Sequence, residues 1–205
     1  MIKRIIFDID NTLLDTKKDC IDCYQNYLKI KNYKIEPNDL FKILYEYEFV
    51  GNFEKIDLVN YLNQKLDNIY SLENLEELLK IYSNYSTLIN ENTKKILEYL
   101  SKKYEIVALT NWYKDCQHER LKKVGIDKYF KKIYGVEDGI KPNKETYKNA
   151  CNNYQYEECL IIGDSLERDI NIPKKLKMKT IYFNKSTKNN TENEINNLDE
   201  LLKLL

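Results

Sequence analysis

Five short apolar runs limit what this chain can fold into: Lys3–Phe7, Glu105–Leu109, Lys132–Tyr134, Cys159–Ile162 and Thr180–Phe183. Most are continuous rather than alternating, which is the pattern of strands covered on both faces and therefore of a parallel sheet. Between the later runs the period changes to that of helices. Asp115–Val124 stops at Gly125, a residue suited to ending a helix, and Lys144–Asn153 follows the turn-forming sequence KPN. Strand alternating with helix predicts an α/β fold with a Rossmann-like parallel sheet core.

The stretch from Lys17 to Thr87 breaks that rhythm. Leu40, Ile43, Leu44 and Tyr47 share one helix face, as do Leu58, Leu62, Leu66 and Ile69, and then Leu72, Leu75, Leu79 and Tyr82. No convincing strand lies among them. The spacing predicts an all-helical domain over residues 17–87, inserted after the first strand, with the α/β core assembled from residues 1–16 and 88–205. The polar run Asn184–Asn193 reads as a loop, and Leu198–Leu205 as a short closing helix.

Composition narrows the function classes. Lysine plus arginine (33) balance aspartate plus glutamate (33), so net charge gives no reason to expect nucleic acid or an anionic membrane as partner. No segment approaches membrane-spanning length and no export signal is recognisable, so a cytoplasmic protein, monomer or homodimer, is the expectation. Five cysteines then imply reduced thiols rather than disulfides. Cys20 and Cys23 form one CxxC, but the single histidine, His118, and the lack of a second cysteine pair favour two helix-face thiols over a zinc site.

The chemistry starts at IIFDIDNTLLDT, Ile5 to Thr16. Asp8 and Asp10 end the first strand two residues apart, so their side chains point the same way. Two like charges held that close must share a proton or meet a cation, and a hard oxygen-seeking ion such as Mg²⁺ resolves the conflict. An isolated Asp-x-Asp equally suits a solvated turn. Three other strand ends also finish in polar residues: Thr110 and Asn111 after the second, Lys141 beyond the third, Asp164 with Asp169 after the fourth. In open parallel sheets ligands bind at the carboxyl ends of the strands. Hydroxyl and N–H donors, a fixed cation and acidic metal ligands converging there would bind and cleave a phosphate ester.

Taken together, these segments resemble the haloacid dehalogenase superfamily, in the group with a helical cap inserted after the first motif. The first family motif, Asp-x-Asp-x-Thr-hydrophobic, is matched by Asp8, Asp10, Thr12 and Leu13, and the second by Thr110 at a strand end. Lys141 with Pro142 matches the third, and Gly163, Asp164 and Asp169 match the fourth. The resemblance implies that Asp8 is the nucleophile, forming an aspartyl-phosphate, and that Asp10 acts first as acid and then as base. It implies Mg²⁺ held by Asp8, the backbone carbonyl of Asp10, and Asp164, with Asp169 bracing that shell or Lys141. Thr110 and Asn111 would bind phosphate oxygens and Lys141 would neutralise Asp8 and the transferring group.

The acid at Asp10 points to a phosphatase acting on a small phosphate ester or, alternatively, a sugar phosphomutase. Dehalogenase relatives lack an acid there and cation pumps carry Thr. A non-catalytic phosphoacceptor or phosphate-binding protein is a weaker alternative, and a phosphonatase would want a cap lysine, for which Lys55 is the candidate. The turn FVGNFEK, Phe49–Lys55, is the expected substrate-facing loop. Two departures stand out. Asn11 occupies a position that is Gly in many relatives, and Ile172 and Lys177 replace glycines, which predicts an altered helix after the fourth motif.

Overall fold

The computed structural model describes residues 1–51, 53–67, 69–185 and 193–205. It divides into two compact units, Met1–Leu14 with Leu88–Leu205, and Asp15–Thr87.

The first unit is built on a parallel sheet of strands β1 (Arg4–Phe7), β2 (Glu105–Leu109), β3 (Lys132–Tyr134), β4 (Cys159–Gly163), β5 (Lys179–Phe183) and β6 (Glu194–Ile195). Their spatial order is β3-β2-β1-β4-β5-β6, that of a doubly wound dinucleotide-type fold, in which the connections change direction at β1. Phe7 lies level with Ala108 on one side and Ile162 on the other, so β1, β2 and β4 end at nearly the same height. The expected strands are present. The short β6 was not expected, because two residues flanked by polar ones carry no periodic signal; Tyr182 and Phe183 pair with Glu194 and Ile195. Residues 186–192 of the expected loop lie outside the described residues.

The continuous apolar runs are explained by burial on both faces. Ile5, Phe7, Ala108 and Ile162 pack on one side with Ile96, Leu97, Leu100, Leu121 and Leu201. Ile6, Val107, Leu109 and Ile161 pack on the other with Tyr147, Ala150 and Met178. Burying such side chains contributes roughly 1.5–3 kcal/mol each.

The second unit is helical: α1 (Thr16–Lys31), α2 (Pro37–Val50), α3 (Lys55–Lys65) and α4 (Leu72–Tyr82). Cys20 and Cys23 are buried on α1, and all five cysteines are free thiols. The helix expected to run through Leu66 and Ile69 ends at Lys65. There the Asn63 amide exchanges two hydrogen bonds with the Tyr70 backbone, at 2.8 and 2.9 Å, and so offers the chain a turn in place of another helical one. The buried carboxylate of Asp19 accepts a 2.6 Å hydrogen bond from the Thr87 hydroxyl, joining the two ends of the unit. Lys55 is ion-paired with Glu76 at 3.1 Å. Of the expected loop Phe49–Lys55, Phe49 and Val50 close α2, Lys55 opens α3, and Asn52 lies outside the described residues.

The remaining helices belong to the first unit: α5 (Glu91–Ser101), α6 (Lys114–Lys123), α7 (Lys144–Cys151), α8 (Ile172–Lys175) and α9 (Leu201–Leu204). Among the described residues no helix is long and apolar enough to cross a membrane. After the fourth motif the chain makes a π-helical turn over Leu166–Asn171 and runs directly into α8. Ile172 has ordinary helical angles (φ −70°), so a side chain is accommodated there. Lys177 is different: it adopts φ +68°, a left-handed conformation that costs a residue with a Cβ about 1–2 kcal/mol.

Lys177→Gly is accordingly expected to raise stability by about 0.5–1 kcal/mol after the greater flexibility of unfolded glycine is subtracted. That corresponds to a melting temperature roughly 1–4 °C higher. Lys177→Ala removes the same side chain, keeps the Cβ and should melt with the wild type; equal melting of the Gly and Ala variants in a calorimetric scan would refute the backbone explanation.

Candidate active site

The sheet places the acidic and polar residues at its carboxyl edge. Asp8 continues the ladder through a hydrogen bond from its N–H to the Ile162 carbonyl (2.8 Å), and the Thr110 N–H does the same to Tyr134 (3.0 Å). Both residues therefore emerge from strand ends with a fixed backbone. Past Ile9, which is fully buried, Asn11 takes φ +60° and turns the chain back, with the Leu13 and Leu14 N–H groups both donating to the Ile9 carbonyl. Asparagine tolerates that region better than most residues. The turn carries the Thr12 hydroxyl to 3.3 Å from Asp8 Oδ2.

Lys141 is the centre of the charge arrangement. Its Nζ donates to Asp8 Oδ1 at 2.8 Å and to Asp169 Oδ1 at 2.7 Å, and all three side chains are buried. Its backbone is held by Asn111, whose amide donates to the Lys141 carbonyl (2.8 Å) and accepts from the Lys141 N–H (2.7 Å). Asp169 reaches the lysine because the π-helical turn swings it back beside β4. Asp169 Oδ2 accepts from the Ser165 N–H at 3.1 Å. A Cβ on Gly163 would lie 2.4 Å from Asp169 Cγ, so only glycine fits at that strand end.

Burial opposes the charge on Lys141, but Asp169 and Asp8 outweigh it and hold the ammonium above the ordinary lysine range. Burial pushes Asp8 well above the usual carboxylate range; Lys141 pulls it down, while Asp169, Asp164 and Asp10 push it further up. Asp164 is pushed up to about 6, by burial first and by Asp169 next.

Asp10 belongs to a second polar network, formed with the end of β2 and with α6. Its Oδ2 accepts from the Thr110 hydroxyl at 2.9 Å and from Gln117 Nε2 at 2.5 Å, and its Oδ1 accepts from Arg120 Nη1 at 3.0 Å. Arg120 also donates to Gln117 Oε1 (2.7 Å), and Gln117 Nε2 to Thr110 Oγ1 (3.0 Å). Thr110, Gln117 and Arg120 are fully buried.

Two expected site residues are thus differently engaged from the sequence reading. Both donors of Thr110, its N–H and its hydroxyl, are committed to Tyr134 and Asp10, and both polar atoms of the Asn111 side chain are committed to the Lys141 backbone. In this arrangement the Thr110 hydroxyl is bonded to Asp10 and the Asn111 side chain holds the lysine loop, while the Asn111 amide carries a second N–H beyond the one given to Lys141. Gln117 and Arg120 were not singled out from sequence. The signal was present: Cys116, Gln117, Arg120 and Leu121 make up the buried stripe of α6, so two long polar side chains occupy core positions of a helix.

Asp8, Asp164 and Asp169 present carboxylate oxygens that all lie within 4.8 Å of one another. An all-oxygen, anionic donor set suits a hard divalent cation. Three carboxylates against one ammonium leave the site short of positive charge, which adds to burial in displacing Asp8 and Asp164 upward. Each oxygen of Asp8, like each oxygen of Asp169, already accepts one hydrogen bond, and a carboxylate oxygen keeps a further lone pair for a cation.

A lysine-braced acidic cluster at the carboxyl edge of a Rossmann-ordered sheet defines the haloacid dehalogenase-like fold. The chain belongs to that family: the haloacid dehalogenase-like hydrolase profile matches residues 5–183. Among curated relatives, the glyceraldehyde 3-phosphate phosphatase of Pyrococcus abyssi is 26% identical over 200 residues, covering 89% of this chain and 82% of the relative. The N-acylneuraminate-9-phosphatase of Rattus norvegicus is 23% identical over 207 residues, covering 90% and 84%. Among solved structures, the magnesium-bound HAD-hydrolase YfnB of Bacillus subtilis superposes with a TM-score of 0.71 at 21% identity, covering 99% of this chain and 98% of that one.

Removing the ammonium while leaving its two carboxylates should be severe. Lys141→Met is expected to cost about 3–5 kcal/mol of stability, the usual penalty for stranding buried charge. Adding Asp169→Asn to that variant should restore part of the loss. Chemical denaturation of the single and double variants checks this, and a double variant no more stable than Lys141→Met would show that the lysine matters for something other than charge.

Proposed function

We propose that the protein is a Mg²⁺-dependent cytoplasmic phosphatase that hydrolyses a small phosphorylated metabolite through an aspartyl-phosphate on Asp8, with residues 17–87 as its helical cap domain. The observation that carries this reading is Asp8 at a strand end, tied to Lys141 at 2.8 Å and grouped with Asp164 and Asp169 in an oxygen-only cluster. Phosphatase relatives that act on glyceraldehyde 3-phosphate and on N-acylneuraminate 9-phosphate support the same class of substrate, phosphate esters of small sugars.

In the first step an Asp8 carboxylate oxygen attacks phosphorus in line, the ester P–O bond breaks, and Asp10 delivers a proton to the departing alkoxide. Lys141 and Thr12 hold the Asp8 carboxylate, which restricts its rotation before attack. In the second step Asp10 takes a proton from water, that water attacks the phosphorus of the aspartyl-phosphate, and the P–O bond to Asp8 breaks. Phosphate and the Asp8 carboxylate are regenerated. Asp8, Asp164 and the Asp10 backbone carbonyl would hold Mg²⁺, which supplies electrostatic shielding between the acids and the substrate phosphate. Lys141 balances charge on Asp8 throughout, and Asp169 keeps the lysine in place. Thr110, Asn111 and neighbouring backbone N–H groups at the end of β2 would bind the phosphate oxygens.

Wild-type protein with Mg²⁺ is expected to release inorganic phosphate from p-nitrophenyl phosphate and from members of a sugar-phosphate panel, and to lose that activity with EDTA. Asp8→Asn should lower turnover by ~10³-fold or more while leaving the fold intact. Net phosphate release distinguishes the phosphatase from a phosphomutase. Inactivity of the metal-loaded wild type across the whole panel would overturn the reading.

A further inference from the structure

The polar network around Asp10 contains more than the proposed reaction asks of it. A fully buried arginine is costly, since its desolvation is offset only when its partners are well placed. Here Arg120 is fully buried, makes an ion pair with Asp10 at 3.0 Å and donates to Gln117 at 2.7 Å. Gln117, itself fully buried, donates to both Asp10 (2.5 Å) and Thr110 (3.0 Å). Both residues come from one helix three positions apart, which places them on the same face of α6. That helix starts four residues after Thr110, so the end of β2 and α6 together supply the Thr110, Gln117 and Arg120 donors to the Asp10 carboxylate.

We infer that Gln117 and Arg120 are positioning residues that aim the Asp10 carboxylate for proton transfer. The hydrogen-bonding capacities support this. The amide nitrogen of Gln117 and the guanidinium of Arg120 can only donate, so both hold Asp10 as an acceptor. The Thr110 hydroxyl donates to the same oxygen as Gln117. One oxygen of Asp10 is held by the arginine and the other by Gln117 and Thr110. A carboxylate restrained at both oxygens keeps its direction, as a group serving as acid in one step and base in the next must. The role differs from that of Lys141, which acts on Asp8 and Asp169.

This inference rests on Asp10 being the acid of the proposed phosphatase reaction, and the test separates the two. kcat/KM is measured with Mg²⁺ for p-nitrophenyl phosphate, phenyl phosphate and β-glycerophosphate, whose leaving groups depend increasingly on a proton. Asp10→Asn is expected to lose activity on all three esters, least on p-nitrophenyl phosphate, whose phenolate leaves unaided, and ~10²-fold more on β-glycerophosphate. Arg120→Met should follow the same gradient, and Arg120→Lys, which keeps a cation, should recover part of the loss. A uniform loss on all three esters in Arg120→Met, with Asp10→Asn still showing the gradient, would make Arg120 a purely structural residue and overturn the inference. A flat profile in Asp10→Asn itself would remove Asp10 as the acid, and the positioning role with it. Should Arg120→Met fail to fold, Gln117→Met, which keeps the ion pair and loses the amide bonds to Asp10 and Thr110, carries the same comparison under the same criteria.

Discussion

A buried ammonium between two buried carboxylates organises this protein's α/β unit. Lys141 would be a liability at almost any other interior position, because its desolvation is recovered only if both partners sit at hydrogen-bonding distance. The surrounding backbone is shaped to that requirement. Asn111 fixes the lysine's own N–H and carbonyl. Gly163 leaves the space that Asp169 occupies. The π-helical turn over Leu166–Asn171 then returns Asp169 to the end of β4 instead of letting it point along an ordinary helix. A wide turn of this kind disrupts regular hydrogen bonding, and its presence here is accounted for by the position it gives one carboxylate.

The same logic explains how Asp8 and Asp10 coexist. From sequence, the two charges appeared to need a shared metal and a shared lysine. The structure gives each its own cation: Lys141 for Asp8, Arg120 for Asp10. The two networks draw on different elements, the loop after β3 and the fourth-motif turn for one, β2 and α6 for the other. Two carboxylates in separate environments can perform different steps, which two equivalent ones could not.

How much of this was legible in the sequence follows from the physics of each signal. Strands buried on both faces write themselves as unbroken apolar runs, so all five longer strands were readable, and the two-residue β6 was not. The acids at strand ends were readable because polar residues interrupt those runs at one edge of the sheet. The left-handed conformations of Asn11 and Lys177 were traceable to positions where glycine would be expected. The helix ending at Lys65 was misread because the apolar spacing of Leu62, Leu66 and Ile69 persists past the point where the Asn63 amide captures Tyr70. Gln117 and Arg120 were missed for a different reason. Polar side chains on a helix default to the solvent face, and only the alignment of Gln117 and Arg120 with Cys116 and Leu121 identifies them as interior.

Charge balance also bears on the metal in the proposed reaction. Asp8, Asp164 and Asp169 against Lys141 leave two negative charges when all are ionised, and α/β burial makes that state expensive. Burial favours protonation at both Asp8 and Asp164. In the proposed reaction a divalent cation held by Asp8 and Asp164 would offset the two charges, favour the carboxylate form of Asp8 and lessen the repulsion that a phosphate dianion meets on approach. The cation that would admit the substrate would also favour the form of Asp8 that attacks it.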